Sequence, residues 1–230
     1  MPTNLSPGNR HSMRLLTTIL LVLPLQSVNS EPPTLFADAF EQGSLGKRWQ
    51  TKIGNFRVEN KVLVGSEDPN DGHGAVIRKM IEFTNATISF RFNIRDGRSF
   101  NVVINDKNCK TVHAGHICRV AITARAIRIA DDKEGVMRND IFAMRKDPAR
   151  NEEANRLVKH RSKSIPLDIR KETWHILKIA IHDDTISVEY NNKPIGSLTS
   201  KGIAHPTKTD FGFTVKGKRI EFDDVVFTQQ

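Results

Sequence analysis

The chain has 230 residues, with 35 Lys and Arg against 26 Asp and Glu, a formal net charge of +9. Basicity of this size goes with solubility or with attraction to anionic surfaces and polymers. No Cys/His finger spacing, heptad run or aromatic RNA-binding pattern accompanies it, so nucleic acid is excluded as an expected partner and an anionic polysaccharide fits the charge better.

Residues 1–30 read as a targeting segment. Arg10 and Arg14 make a basic start, and Leu15 to Leu25 is an apolar run of signal-peptide length. Val28-Asn29-Ser30 offers small residues for cleavage after Ser30, and Met13 is an alternative start. The run is too short to span a bilayer and stay, so no transmembrane segment is expected after cleavage; an uncleaved anchor is the alternative. The expected product, 31–230, carries +7 and is exported to the periplasm or the cell exterior. It is long enough for one domain with a two-sheet core.

Strands are predicted at 35–40, 49–53, 55–59, 61–65, 75–80, 86–94, 99–105, 117–124 and 126–130. A second set is predicted at 173–182, 185–190, 194–199, 210–216 and 219–228. Turn signals separate them at Asp96-Gly97, Asp183-Asp184, Asn191-Asn192 and Lys216-Gly217-Lys218. Many short strands at this spacing mean a sandwich or a barrel. One insertion, about 139–165, breaks the pattern. Asp147-Pro148 reads as N-cap and first-turn proline, and 148–160 as a short polar surface helix with a Glu152–Arg156 pair. It is either a lid beside a binding face or a decorated crossover loop.

Strand 86–94 alternates Ala86, Ile88, Phe90, Phe92 and Ile94 against Thr87, Ser89, Arg91 and Asn93. The next strands put Asn101 and Asn105 opposite Phe100, Val102 and Ile104, and Arg119 and Thr123 opposite Cys118, Val120 and Ile122. If the three pair in order, Arg91, Asn93, Asn101, Asn105, Arg119 and Thr123 share one face. Amides and guanidiniums suit hydroxyls and carboxylates, so this face is the candidate ligand site; an ordinary solvated face is the alternative. Trp49, Trp174 and Tyr190 sit at strand ends and read as packing rather than sugar platforms.

Cys109 and Cys118 flank K-T-V-H-A-G-H-I, and in an exported chain such an isolated pair is most simply a disulfide stapling the loop. A two-Cys, two-His metal set with His113 and His116 is the alternative, but C-x3-H-x2-H-x-C is not finger or ribbon spacing, so no metal or other cofactor is expected. A stapled loop could also present His113 or His116 to a ligand as a proton-transfer group, with His73 a weaker candidate.

Family 16 glycosidases share a jelly-roll fold and place catalytic carboxylates as E-x-D-x-E or E-x-D-x-x-E on one strand. The nearest match is Glu221-Phe222-Asp223-Asp224-Val225-Val226, where the third carboxylate is missing, so Asp223 and Asp224 read as structural.

The segment G-N-F-R-V-E-N-K-V-L-V-G, from Gly54, resembles the G-x-W-x-V-E-D-G-x-L opening of the 3-keto-disaccharide hydrolase domain family. His73 to Arg78 followed by F-T-N-A-T-I-S-F-R-F resembles its next two strands. Thr173-Trp174 to Tyr190 with N-N-K-P-I-G resembles its tryptophan strand and hairpin, and G-F-T-V-K-G…I-E-F-D-D-V-V-F its close. The likeness covers most of 35–228. It implies an all-β concanavalin A-like jelly-roll sandwich and an exported protein that cleaves or binds saccharides. Phe56, Asn60-Lys61 and Gly97 to Val102 depart from the family pattern, and the insertion has no counterpart in it. The expectation is a glycoside hydrolase of this type, acting as a monomer. The alternatives are a lectin-like binding module and a wall-associated interaction protein.

Overall fold

The computed structural model describes residues 1–4 and 33–229. The targeting segment proposed for 1–30 therefore lies outside the described residues except at its first four positions. Among the described residues there are fifteen strands and two α-helices. β1 (Thr34–Asp38), β2 (Gln50–Ile53), β3 (Asn55–Glu59), β4 (Val62–Ser66) and β5 (Ala75–Phe83) come first. β6 (Ala86–Ile94), β7 (Gly97–Asn105), β8 (His116–Thr123) and β9 (Ala126–Asp131) follow. The insertion holds α1 (Asn139–Lys146), α2 (Asn151–Leu157) and β10 (Ser162–Pro166). β11 (His175–His182), β12 (Thr185–Tyr190), β13 (Lys193–Thr199), β14 (Lys208–Gly217) and β15 (Ile220–Gln229) close the chain.

The strands pair into two antiparallel sheets, a jelly-roll sandwich. One runs β13-β12-β11-β6-β15-β4-β3, with β1 also paired to β15; the other runs β10-β9-β8-β7-β14-β5-β2. The alternating sequences explain why both sheets turn one face inward. Phe90 and Phe92 on β6, Phe100 on β7, Phe211 and Phe213 on β14, and Phe222 on β15 all enter one core. Phe213 stacks on Phe222 at 4.1 Å and meets Phe90 edge-on at 5.2 Å, so aromatic rings join the sheets at their centres. Trp49 lies in this core against Phe213, its Nε1 donating to Asp38 Oδ2 at 2.9 Å. Tyr190 is held through its hydroxyl to His175 Nδ1 at 2.8 Å. Both are packing residues, as read from the sequence.

Three expectations change. β10 was not predicted, because S-K-S-I-P has a single apolar residue and lies exposed on an edge. The helix predicted over 148–160 is shorter and has a partner, α1. Asp147 Oδ1 accepts from Ala149 N at 2.9 Å, which caps a turn, and α2 begins only after Arg150. The two helices bury their own small cluster of Ile141, Met144, Ala154 and Val158.

The third change concerns the polar face. β6 and β7 are consecutive but lie in different sheets, so the link at Arg95-Asp96 carries the chain across the sandwich instead of closing a hairpin. Arg91 and Asn93 thus lie on the eight-stranded sheet, away from Asn101, Asn105 and Arg119. Arg91 Nη2 donates to Asp223 Oδ2 at 3.0 Å and its guanidinium sits 4.8 Å from the Trp174 ring, while buried Asn93 lies opposite Glu221. Among the described residues no helix is long and apolar enough to cross a membrane.

Candidate functional site

The outer face of the seven-stranded sheet carries a groove of about 630 Å³. Period-2 alternation builds its floor, because residues flanking each core aromatic point the other way. β14 directs Asp210 and Thr214 outward opposite Phe211 and Phe213; β5 contributes Arg78, β7 Asn101 and Asn105, and β8 His116 and Arg119. His73 and His113 stand on the rim with Lys52 and Lys107. Gly212 lets β14 lie close on β5, since a Cβ there would fall 2.0 Å from Ile77 O.

Asp210, the groove's carboxylate, is already committed. Asn105 Nδ2 donates to its Oδ1 at 2.6 Å, and Arg78 Nε stands 3.5 Å from the same oxygen. Arg78 Nη1, Asn105 Oδ1 and His116 Nδ1 are buried with no hydrogen-bond partner among the described residues. Burial, reinforced by Arg78 and Arg119, pushes His116 down to about 3, so its ring is neutral across the working pH range. Burial also holds Arg78 below the usual guanidinium range, with Asp210 opposing.

The His113–His116 loop is fixed without a disulfide, contrary to the sequence expectation. Cys109 and Cys118 are both free thiols. β8 turns Cys118 into the core, fully buried, where the low-polarity surroundings push its thiol up; Cys109 stays in the loop with Sγ 3.4 Å from Thr111 Oγ1. The loop is instead tied to the insertion. His113 N donates to Met137 O at 2.8 Å, Asn139 N to Thr111 O at 3.1 Å, and the His113 ring stacks on Phe142 of α1 at 3.9 Å. Gly115, with φ 74, lets the loop lie on Asp106, whose carbonyl oxygen would be 2.5 Å from a Cβ. A reductant such as dithiothreitol is therefore expected to leave the melting temperature unchanged; a drop of several degrees would mean that the thiols bond in solution.

The structure thus brings Asn101, Asn105 and Arg119 of the expected face together with His113, His116 and His73. It places Arg91 and Asn93 elsewhere. Thr123 lies at the end of β8, where its Oγ1 accepts from Ala126 N at 3.0 Å and so closes the turn to β9. Sequence reasoning missed Arg78 and Asp210. Their signal was present in the alternation of 75–80 and 210–216, but it has meaning only once β5 and β14 are known to be central beside β7. Among the described residues no group of three or more His, Cys, Asp or Glu is arranged to hold a metal ion.

No family profile matches the chain, and no curated protein does. Solved structures do. A laminarinase from Flavobacterium sp. UMI-01 superposes with a TM-score of 0.59 at 12% identity over 86% of this chain and 100% of its own. SCLam, a non-specific endo-β-1,3(4)-glucanase from family GH16, gives 0.58 at 12% identity over 89% and 94%. The carbohydrate-binding module CBM66 from Bacillus subtilis gives 0.54 at 13% identity over 79% and 96%. The fold is a concanavalin-like jelly roll. Such neighbours include both glucanases and a carbohydrate-binding module, so the similarity shows the fold and chooses no reaction. It also makes the position of Glu221 and Asp223 informative: they lie on β15, in the sheet without the groove, and Glu221 is paired to Arg95 at 3.0 Å and to Arg219 at 2.8 Å.

Proposed function

We propose that the groove on the seven-stranded sheet binds a saccharide and that the protein cleaves a glycoside there. The observation that carries this reading is the groove floor, lined by Arg78, Asn105 and His116, whose buried Nη1, Oδ1 and Nδ1 atoms have no hydrogen-bond partner among the described residues. A fixed donor, a fixed acceptor and a neutral ring nitrogen match sugar hydroxyls, which donate and accept at once. The glucanase, laminarinase and carbohydrate-binding neighbours support the ligand class.

The groove disfavours two-carboxylate chemistry, which needs a pair of carboxyl groups about 5–5.5 Å apart for retention. A glycoside carrying a ketone at C3, the substrate class implied by the family resemblance, needs less. The ketone acidifies the C2 proton, and the glycosidic oxygen on C1 lies β to the carbonyl. A base takes the C2 proton, the C1–C2 double bond forms, and the C1–O bond breaks, with the leaving oxygen taking a proton. Water then adds across the double bond to give the hydrolysed sugar. His113 is the assigned proton carrier, Arg78 and Arg119 stabilise the enolate oxygen, and neutral His116 orients the ring. The apolar sequence at 15–25 supports the part of this reading that sets the reaction outside the cytoplasm.

The test is turnover of 3-keto-glucosides beside a panel of ordinary glycans. His113→Ala is expected to lower product release about a hundredfold or more, the range for loss of a general acid or base, while ligand-induced thermal shifts persist. Thermal shifts without product in the unaltered protein would leave a lectin-like binder. Neither effect across the panel would remove the saccharide reading.

A further inference from the structure

A second cavity of about 180 Å³ opens beside the groove and shares Asn101 and Arg119 with it. Four guanidiniums line it: Arg119 on β8, Arg128 on β9, Arg145 on α1, and Arg161 between α2 and β10. Arg119 Nη2 lies 3.1 Å from Asp132 Oδ1. The other three have neutral partners. Arg128 Nη2 donates to Ser162 Oγ at 2.8 Å, Arg145 Nε to Asn155 Oδ1 at 3.3 Å, and Arg161 Nη1 to Ser200 Oγ at 3.1 Å. Asp131, also in the wall, is itself saturated by Ser200 Oγ at 2.5 Å, Gly202 N at 2.9 Å and Glu134 N at 3.0 Å.

Asp131 and Asp132, the latter acting on Arg119, Arg128 and Arg145, offset part of this charge, but four guanidiniums against two carboxyls leave the small cavity with an excess of positive charge. The planar guanidinium forks suit the paired oxygens of a carboxylate or sulfate. We propose that this cavity is a subsite for the anionic group of a sugar, a uronate carboxylate or a sulfate ester, so that the chain lying in the groove is an acidic saccharide. The proposal rests on the groove being a saccharide site. It also gives the insertion a purpose, because Arg145, Asn155 and Arg161 all come from it and extend the groove past the sheet edge.

The test measures binding of three hexasaccharides, one of galacturonate, one sulfated and one of neutral glucan, to the full protein and to the Arg145→Gln/Arg161→Gln double variant. At least one acidic probe is expected to bind about tenfold or more tightly than the neutral one, with an affinity that falls as salt rises. The double variant is expected to lose that advantage and keep the neutral affinity. The galacturonate and sulfate arms separate the two sources of charge. If the double variant melts lower, Arg145→Gln alone carries the comparison, since its side-chain hydrogen bond, to Asn155, stays within the surface insertion. Neutral binding as tight as both acidic probes, or acidic binding untouched by the variants, would overturn the subsite and leave the saccharide groove standing. No binding by any of the three would overturn the subsite, while the saccharide groove itself stands or falls on the panel that includes 3-keto-glucosides.

Discussion

Phe213→Ala is expected to destabilise the sandwich by about 3–5 kcal/mol, the usual range for truncating a buried phenylalanine. Phe213 is fully buried and touches Phe222, Phe90 and Trp49, so its removal opens a void that both sheets border. For a domain of this size the melting temperature should fall by roughly 6–20 °C, readable by calorimetry. Phe213→Leu should cost less, because it keeps most of the volume. The same strand presents Asp210 and Thr214 to the groove, so saccharide affinity should fall in Phe213→Ala even below its new melting temperature. A change of only a degree or two would show that the aromatic stack is not what joins the sheets.

The second large effect concerns Asp132. This carboxyl is fully buried, stands at ion-pair distance from Arg119 without an aligned hydrogen bond, and has no hydrogen-bond partner for either oxygen among the described residues. Burial pushes it up to about 6, against the counter-pull of Arg119. In the unfolded chain an aspartate ionises near 4, so between about pH 4 and pH 6 the folded state holds a proton that the unfolded state has released. Stability therefore falls as pH rises through this window, by about 3 kcal/mol in total, and is lowest on this account at neutral pH. Asp132→Asn is expected to raise the melting temperature at pH 7, to lose that gain below pH 4, and to flatten the profile between. Arg119 keeps access to solvent through the groove, so the variant does not strand a buried cation. Parallel melting curves for the two proteins from pH 4 to pH 7 would refute the assignment.

Much of the fold was legible because strand alternation is a local property. The limits of β6 and β12 coincide with the expected 86–94 and 185–190, and the core phenylalanines are those opposite the polar positions. Sheet membership is not local. β6 and β7 carry the same alternation whether they pair or face one another across the core, and nothing in Arg95-Asp96 distinguishes the cases. That ambiguity is why Arg91 and Asn93 were grouped with Asn101, Asn105 and Arg119, and why Arg78 and Asp210 were overlooked. The thiols illustrate a similar limit. Spacing brings Cys109 and Cys118 near one another along the chain, but the direction of the Cys118 side chain is set by which face of β8 meets the core. His113 and His116 were legible as candidates because they lie together in sequence, and both line the groove.

The terminal strands bear on how many copies can share one surface. β13 carries Lys193 and Pro194, and β10 carries Lys163 and Pro166; these two strands end the two sheets on the same side. Proline removes a backbone donor, the β12–β13 register shifts at Val188/Glu189, and lysine at an edge repels an incoming strand. At the opposite ends β3 displays Arg57 and β2 displays Lys52. A neighbouring molecule therefore meets short, charged and interrupted rows of backbone groups at these four edges. Copies meeting at such edges are disfavoured from adding strand to strand, and so from seeding fibrils.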